Sequence, residues 1–186
     1  MIGFAITGSF CTIFKALDIM KNLVSRGYDI LPIMSENAYN TNTRFASFDE
    51  VRKRVVEISG KNIIHTITEA EPLGPKIKLD AMLVCPCTGN TLAKIANGIT
   101  DSSVTMATKA HLRNDNPLLI CLASNDAISA NLKNIATLLS RKNIYFTPMY
   151  QDDPINKPHS LVADFDLVEK SLELALQGKQ DPKIFI

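Results

Sequence analysis

The residues best suited to chemistry lie in Cys85-Pro86-Cys87-Thr88-Gly89-Asn90, a short turn that follows an apolar run and opens a segment of helical period. Thr7-Gly8-Ser9 occupies the same position after the first apolar run, and Ser35 ends the second. Small hydroxyl residues that open a helix leave backbone N–H groups unpaired beside the positive end of the helix dipole, so a phosphate is the favoured guest. The same hydroxyls can simply cap their own helices, worth about 1 kcal/mol each. Three such turns meeting in one crevice favour a ligand site.

Other chemistries lack parts. Gly8 stands without the further glycines of a dinucleotide fingerprint, and no Gly-x-x-x-x-Gly-Lys-Ser/Thr is present. Cys85-x-Cys87 has no second Cys or His pair at ligand spacing, so no metal site is expected. The four cysteines read as buried free thiols, and a Cys nucleophile would need a base supplied by the fold. Of the three histidines, His65 is expected in the core, His111 toward solvent, and His159 near a crevice.

The elements that would position these turns follow from hydropathy. Apolar runs at 2–6, 30–34, 63–67, 81–85, 118–122 and 144–146 alternate with segments of helical period, the mark of a parallel α/β sheet. Helices are expected at about 13–24, 45–58, 91–96, 103–112, 132–139 and around Val168 to Leu176. Pro32 is awkward inside the second strand because it removes a ladder donor. Residues 148–159 read as a loop. The expected fold is a three-layer, doubly wound parallel sheet of order 3-2-1-4-5, Rossmann-like, with residues 1–186 forming one domain. Its ligand crevice then falls between strands one and four.

With 20 basic and 19 acidic residues in 186, the formal charge is +1, which offers no reason to expect nucleic acid or an anionic membrane. No leader or spanning segment is apparent, and a cytoplasmic protein is expected.

Pro86-Cys87-Thr88-Gly89-Asn90, with Lys94 and Asn97-Gly98-Ile99 beyond it, resembles a segment of the flavoproteins that include phosphopantothenoylcysteine decarboxylase and the flavin prenyltransferases. Ile6-Thr7-Gly8-Ser9 and Met34-Ser35 are similar to their phosphate turns, and Pro148-Met149-Tyr150 to the prenyltransferase branch. Within that superfamily, Ala110-His111-Leu112-Arg113-Asn114, Ser124-Asn125-Asp126, and residues 142–146 and 157–163 resemble the family of dipicolinate synthase B subunits.

The resemblance implies that Thr7, Gly8, Ser9, Ser35, Thr88, Gly89 and Asn90 hold flavin mononucleotide (FMN), or a phosphate in its place. It also implies that Ser103, Val104 and Met106 flank the ring. Asn90 would carry the catalytic role, facing flavin and a substrate carboxylate, with Lys94, Lys109 and Arg113 as further cations. In that family the B subunit works with a nicotinamide-binding A subunit, which carries the NAD(P). Together they oxidise dihydrodipicolinate to dipicolinate in the mother cell during sporulation, and homo-oligomers are expected.

Two departures argue against cysteine decarboxylation. Residues 69–78 lack the decarboxylases' His, and no Cys follows Cys121. Gly89 replaces the usual Ala, a backbone that a ligand can approach more closely. Two other readings stay open: a non-redox binding subunit that activates its partner, and an FMN-dependent decarboxylase or prenyltransferase-like enzyme.

Overall fold

The computed structural model describes residues 1–44 and 47–186. Strand β1 (Ile2–Ile6) leads through a 3-10 turn (Phe10–Thr12) into α1 (Ile13–Ser25), and β2 (Ile30–Met34) into α2 (Glu36–Asn40), α3 (Phe48–Ser59) and α4 (Ile67–Ala70). The wholly buried β3 (Ala81–Cys87) opens α5 (Gly89–Asn97), which α6 (Ser103–Leu112) follows. Next come β4 (Leu118–Ser124), α7 (Leu132–Leu139), β5 (Ile144–Phe146), β6 (Met149–Tyr150), β7 (Leu161–Ala163) and α8 (Val168–Leu176).

The sheet runs β2-β1-β3-β4-β7-β6, with β5 also on β4. Pairing is parallel from β2 to β5 and antiparallel where β7 joins β4 and β6. Alternate strand residues face opposite ways, and each face buries one apolar layer. Phe4, Ile6 and Leu83 pack under α1, α3 and α8. Ala5, Met82 and Val84 pack under α5, α6 and α7. This is the expected doubly wound, three-layer arrangement.

The structure departs from expectation in several places. Residues 63–67 form no strand. Ile64 makes a single bridge to Ile33 beside β2, and Thr66 then caps α4 with a reciprocal Glu69 contact. The carbonyl of Pro32 accepts the Ile64 N–H at 3.0 Å, so the proline nitrogen points to the same outer edge and the ladder to β1 loses nothing. The segment 148–159 is not all loop, because the two-residue β6 and three-residue β7 add an antiparallel extension too short to show a period. Phe45 and Ala46, where a helix start was expected, lie outside the described residues; Ser47 caps α3 through the Glu50 N–H. In central β3 the register with β4 shifts between Val84 and Cys87, around Pro86. Among the described residues, no helix is long and apolar enough to cross a membrane.

Candidate functional site

The carboxyl ends of β1, β2 and β3 surround a cleft of about 650 Å³. Gly8 and Phe10 come from the turn after β1, and Ser35, Glu36 and Asn37 from the start of α2. Thr88, Asn90, Thr91 and Lys94 come from α5, and Asp101 and Ser102 from the approach to α6. This is the crevice that the fold class predicts at the point where strand order reverses.

Three hydroxyls at the cleft serve as helix caps, among them Ser102, whose Oγ accepts the Thr105 N–H at 3.2 Å. Ser35 Oγ accepts the Ala38 N–H at 3.3 Å. Thr88 Oγ1 accepts the Thr91 N–H at 3.2 Å and donates to Thr91 Oγ1 at 3.0 Å. The Asn90 side chain is exposed on the first turn of α5, with no hydrogen-bond partner among the described residues. Its amide can therefore donate to an anion held at that helix end.

Thr7 takes a different position from the one the sequence suggests. It is fully buried, donates to the Pro86 carbonyl at 2.8 Å and accepts the Thr88 N–H at 2.9 Å. Its hydroxyl ties β1 to the turn that carries Thr88 and Asn90. Ser9 Oγ accepts from Thr12 Oγ1 at 2.9 Å and stays outside the cleft lining. Gly89 is buried and turns from the cleft toward Ser124, Asp126 and Asn131. An added Cβ would stand 2.7 Å from Asp126 Oδ1 and 2.6 Å from Asn131 Nδ2, so the space left by the missing methyl is already filled.

Ser103 is likewise interior. Its Oγ donates to the Met34 carbonyl at 2.6 Å, and its N–H donates to Glu36 Oε1 at 3.0 Å. Val104 lies in the core and Met106 packs against it, so in this chain neither lines the cleft. Helical geometry explains the difference: only Ser102, at the cap of α6, reaches the opening.

Sequence reasoning missed Phe10, Glu36 and Asp101. The first two sit beside Ser9 and Ser35, but attention to small hydroxyl residues passed over them. Asp101 holds Lys94 through two contacts, at 2.8 and 2.9 Å, and this pairing draws its carboxyl below the ordinary range. The Gly98 turn, at φ 70, folds the chain back so that the two residues meet.

Lys109 and Arg113 do not reach the cleft and line a separate pocket. His111 is buried rather than solvent-facing, with Nε2 2.9 Å from the Pro117 carbonyl, and burial pushes its pKa down. His65 is not a core residue; half-buried, it stacks on Tyr39 at 3.9 Å. His159 is exposed and lies outside the cleft lining. Burial raises the Cys85 and Cys87 thiols, which makes them poor nucleophiles, while Cys11 is exposed on its 3-10 turn.

The size and donor chemistry of the cleft fit a nucleotide-like flavin. The volume lies within the usual range for cofactor pockets. Ser35, Thr88 and the start of α5 suit a phosphate, and the Phe10 ring suits a flat apolar body. Glu36 also lines the cleft, with one carboxylate oxygen accepting the Ser103 N–H at 3.0 Å.

Residues 1–167 match the family described as Flavoprotein. The dipicolinate synthase B subunit of Bacillus subtilis (strain 168) is 43% identical over 185 residues, spanning 100% of this chain and 92% of that protein. The crystal structure of the dipicolinate synthase B subunit from Bacillus halodurans C matches with a TM-score of 0.91 at 40% identity, over 100% of this chain and 95% of that one. The FMN-dependent cysteine decarboxylase SpaF shares the fold, with a TM-score of 0.72 at 18% identity over 95% of this chain and 94% of its own. The chain belongs to the Flavoprotein family and, within it, to the family of dipicolinate synthase B subunits.

Proposed function

We propose that this chain is the B subunit of a dipicolinate synthase. It works with a nicotinamide-binding A subunit to oxidise dihydrodipicolinate to dipicolinate in the mother cell of a sporulating bacterium. The observation that carries this reading is the 43% identity along the whole chain to such a B subunit. The phosphate-suited cleft at the strand ends supports it. Residues 1–186 act as one domain, assembled as a homo-oligomer.

Oxidation of a dihydropyridine to a pyridine removes a hydride and a proton, and aromatisation drives the step. The NAD(P) belongs on the partner, since this chain has no dinucleotide fingerprint. FMN, when bound in the cleft, supplies two-electron acceptor chemistry. Ser35 and Thr88 hold its phosphate, and Phe10 covers one side of the cleft against water. Asn90 donates its side-chain amide to a substrate carboxylate. Lys94, held by Asp101, offers positive charge on the same side.

The test is reconstitution. Purified protein is mixed with FMN and its visible spectrum recorded, and dipicolinate formation is followed once the nicotinamide-binding partner is added. The expected results are a perturbed flavin spectrum and synthase activity that depends on both chains. Absence of synthase activity in the mixture overturns the functional reading. Full activity without flavin binding removes FMN from it.

A further inference from the structure

A second pocket, of about 310 Å³, opens between the end of α5 and the later turns of α6. Ile95, Ile99 and Leu112 line it, together with Lys109, Arg113 and Arg141. Ile99 is 47% exposed there, an apolar side chain left in water among cations.

Arg141 is held in place. Its guanidinium donates to the Ala96 carbonyl at 2.8 Å and to the Ile95 carbonyl at 3.5 Å. Lys109 and Arg113 stand four residues apart on α6, so they share a face and repel each other. Arg26, Arg52 and Arg54 each have a carboxylate within ion-pair distance. Among the described residues, none pairs with Lys109, Arg113 or Arg141. The dipole of α6 accounts for cations at its last turn. It does not account for the apolar surface between them, nor for a third cation arriving from beyond α7.

Apolar surface ringed by cations suits a flat apolar body that carries more than one negative group. Guanidinium groups grip carboxylates through paired N–H donors, while the ring face covers the isoleucines and the leucine. The volume is at the small end of small-molecule sites, which favours a compact ligand over an extended acidic peptide.

We propose that this pocket binds a planar dicarboxylate, at a site distinct from the cleft; the choice of ligand class rests on the proposed function, whose product belongs to it. The two sites share the α5–α6 connection: Asp101 and Ser102 face the cleft, and Ile99 lines the pocket. End product held there lies one or two residues from the cleft wall, a placement suited to product inhibition.

The experiment is a calorimetric titration of the full chain with pyridine-2,6-dicarboxylate, and with benzoate, pyridine and inorganic phosphate as comparisons. The dicarboxylate is expected to bind at least tenfold more tightly than each comparison. The double variant Lys109→Gln/Arg113→Gln should lose at least tenfold in this affinity while keeping its circular dichroism and its behaviour toward FMN.

No measurable binding, or binding equal to that of phosphate (an adventitious anion only), overturns the proposal. So does affinity that survives the double variant. If the double variant loses the nicotinamide-binding partner while the dicarboxylate never binds, the surface is a protein-docking face and the proposal is likewise overturned. Failure of the proposed function would appear separately, as absent synthase activity in the reconstituted mixture.

Discussion

Thr7 and Thr88, 81 residues apart, share a hydrogen bond in which the Thr88 N–H donates to Thr7 Oγ1 at 2.9 Å. Thr7 Oγ1 in turn donates a hydrogen bond to the Pro86 carbonyl at 2.8 Å, so one buried hydroxyl joins the end of β1 to both sides of the turn that opens α5. The turn that presents Thr88 and Asn90 is thus set by a residue that does not line the cleft.

Thr7→Val keeps the shape of the side chain and leaves the Thr88 N–H and one Pro86 lone pair short of a partner. A loss of about 2–3 kcal/mol is expected from buried groups left unsatisfied, read as a lower denaturant midpoint. Thr7→Ser should restore most of it. If Thr7→Val proves as stable as the parent, the tie contributes nothing.

Asn90→Asp separates stability from binding. A carboxylate in the first turn of α5 interacts well with the helix dipole, so the melting temperature should hold or rise, by at most about 1 kcal/mol in stability. The same charge repels a bound anion, and FMN affinity should fall at least tenfold, measured by flavin fluorescence quenching. Unchanged affinity would remove Asn90 from the site.

Gly89→Ala tests what the missing methyl makes room for. The new Cβ would crowd Asn131 Nδ2 and Asp126 Oδ1, and come closer still to Ser124 Oγ. These tips are tied to one another by hydrogen bonds, so they cannot yield independently. A cost of about 1–2 kcal/mol is expected for overpacking, recovered in part by adding Ser124→Ala. FMN affinity should change little, because this face of α5 turns from the cleft.

His111 gives a pH dependence of known sign. Burial lowers its folded pKa below the ordinary 6.5, while its hydrogen bond to the Pro117 carbonyl opposes part of that shift. The unfolded chain therefore takes up the proton first as pH falls. Its contribution to stability is complete above about 6.5 and is lost as pH falls from there through the folded pKa. Thermal unfolding followed from pH 7.5 to 5 should show this loss, and His111→Gln should flatten it.

The alternation of apolar runs with helical periods was enough to determine the doubly wound sheet, since burying strands on both faces requires continuous hydrophobic sequence. It also placed a cleft at the ends of β1 and β3, because parallel topology leaves the open carboxyl ends there. Ser35, Thr88 and Asn90, each placed by its own turn, were legible as residues that line the cleft. Tertiary structure alone decided the rest. Whether Thr7 and Ser103 face a ligand or the interior depends on what packs across from them: Pro86 for one, Met34 and Glu36 for the other. The burial of His111, the meeting of Lys94 with Asp101, and the separation of Lys109 and Arg113 from the cleft also depend on how helices are rotated against the sheet. Local pattern records which residues want to be buried or capped; which partner each one finds across the fold is set only by long-range packing.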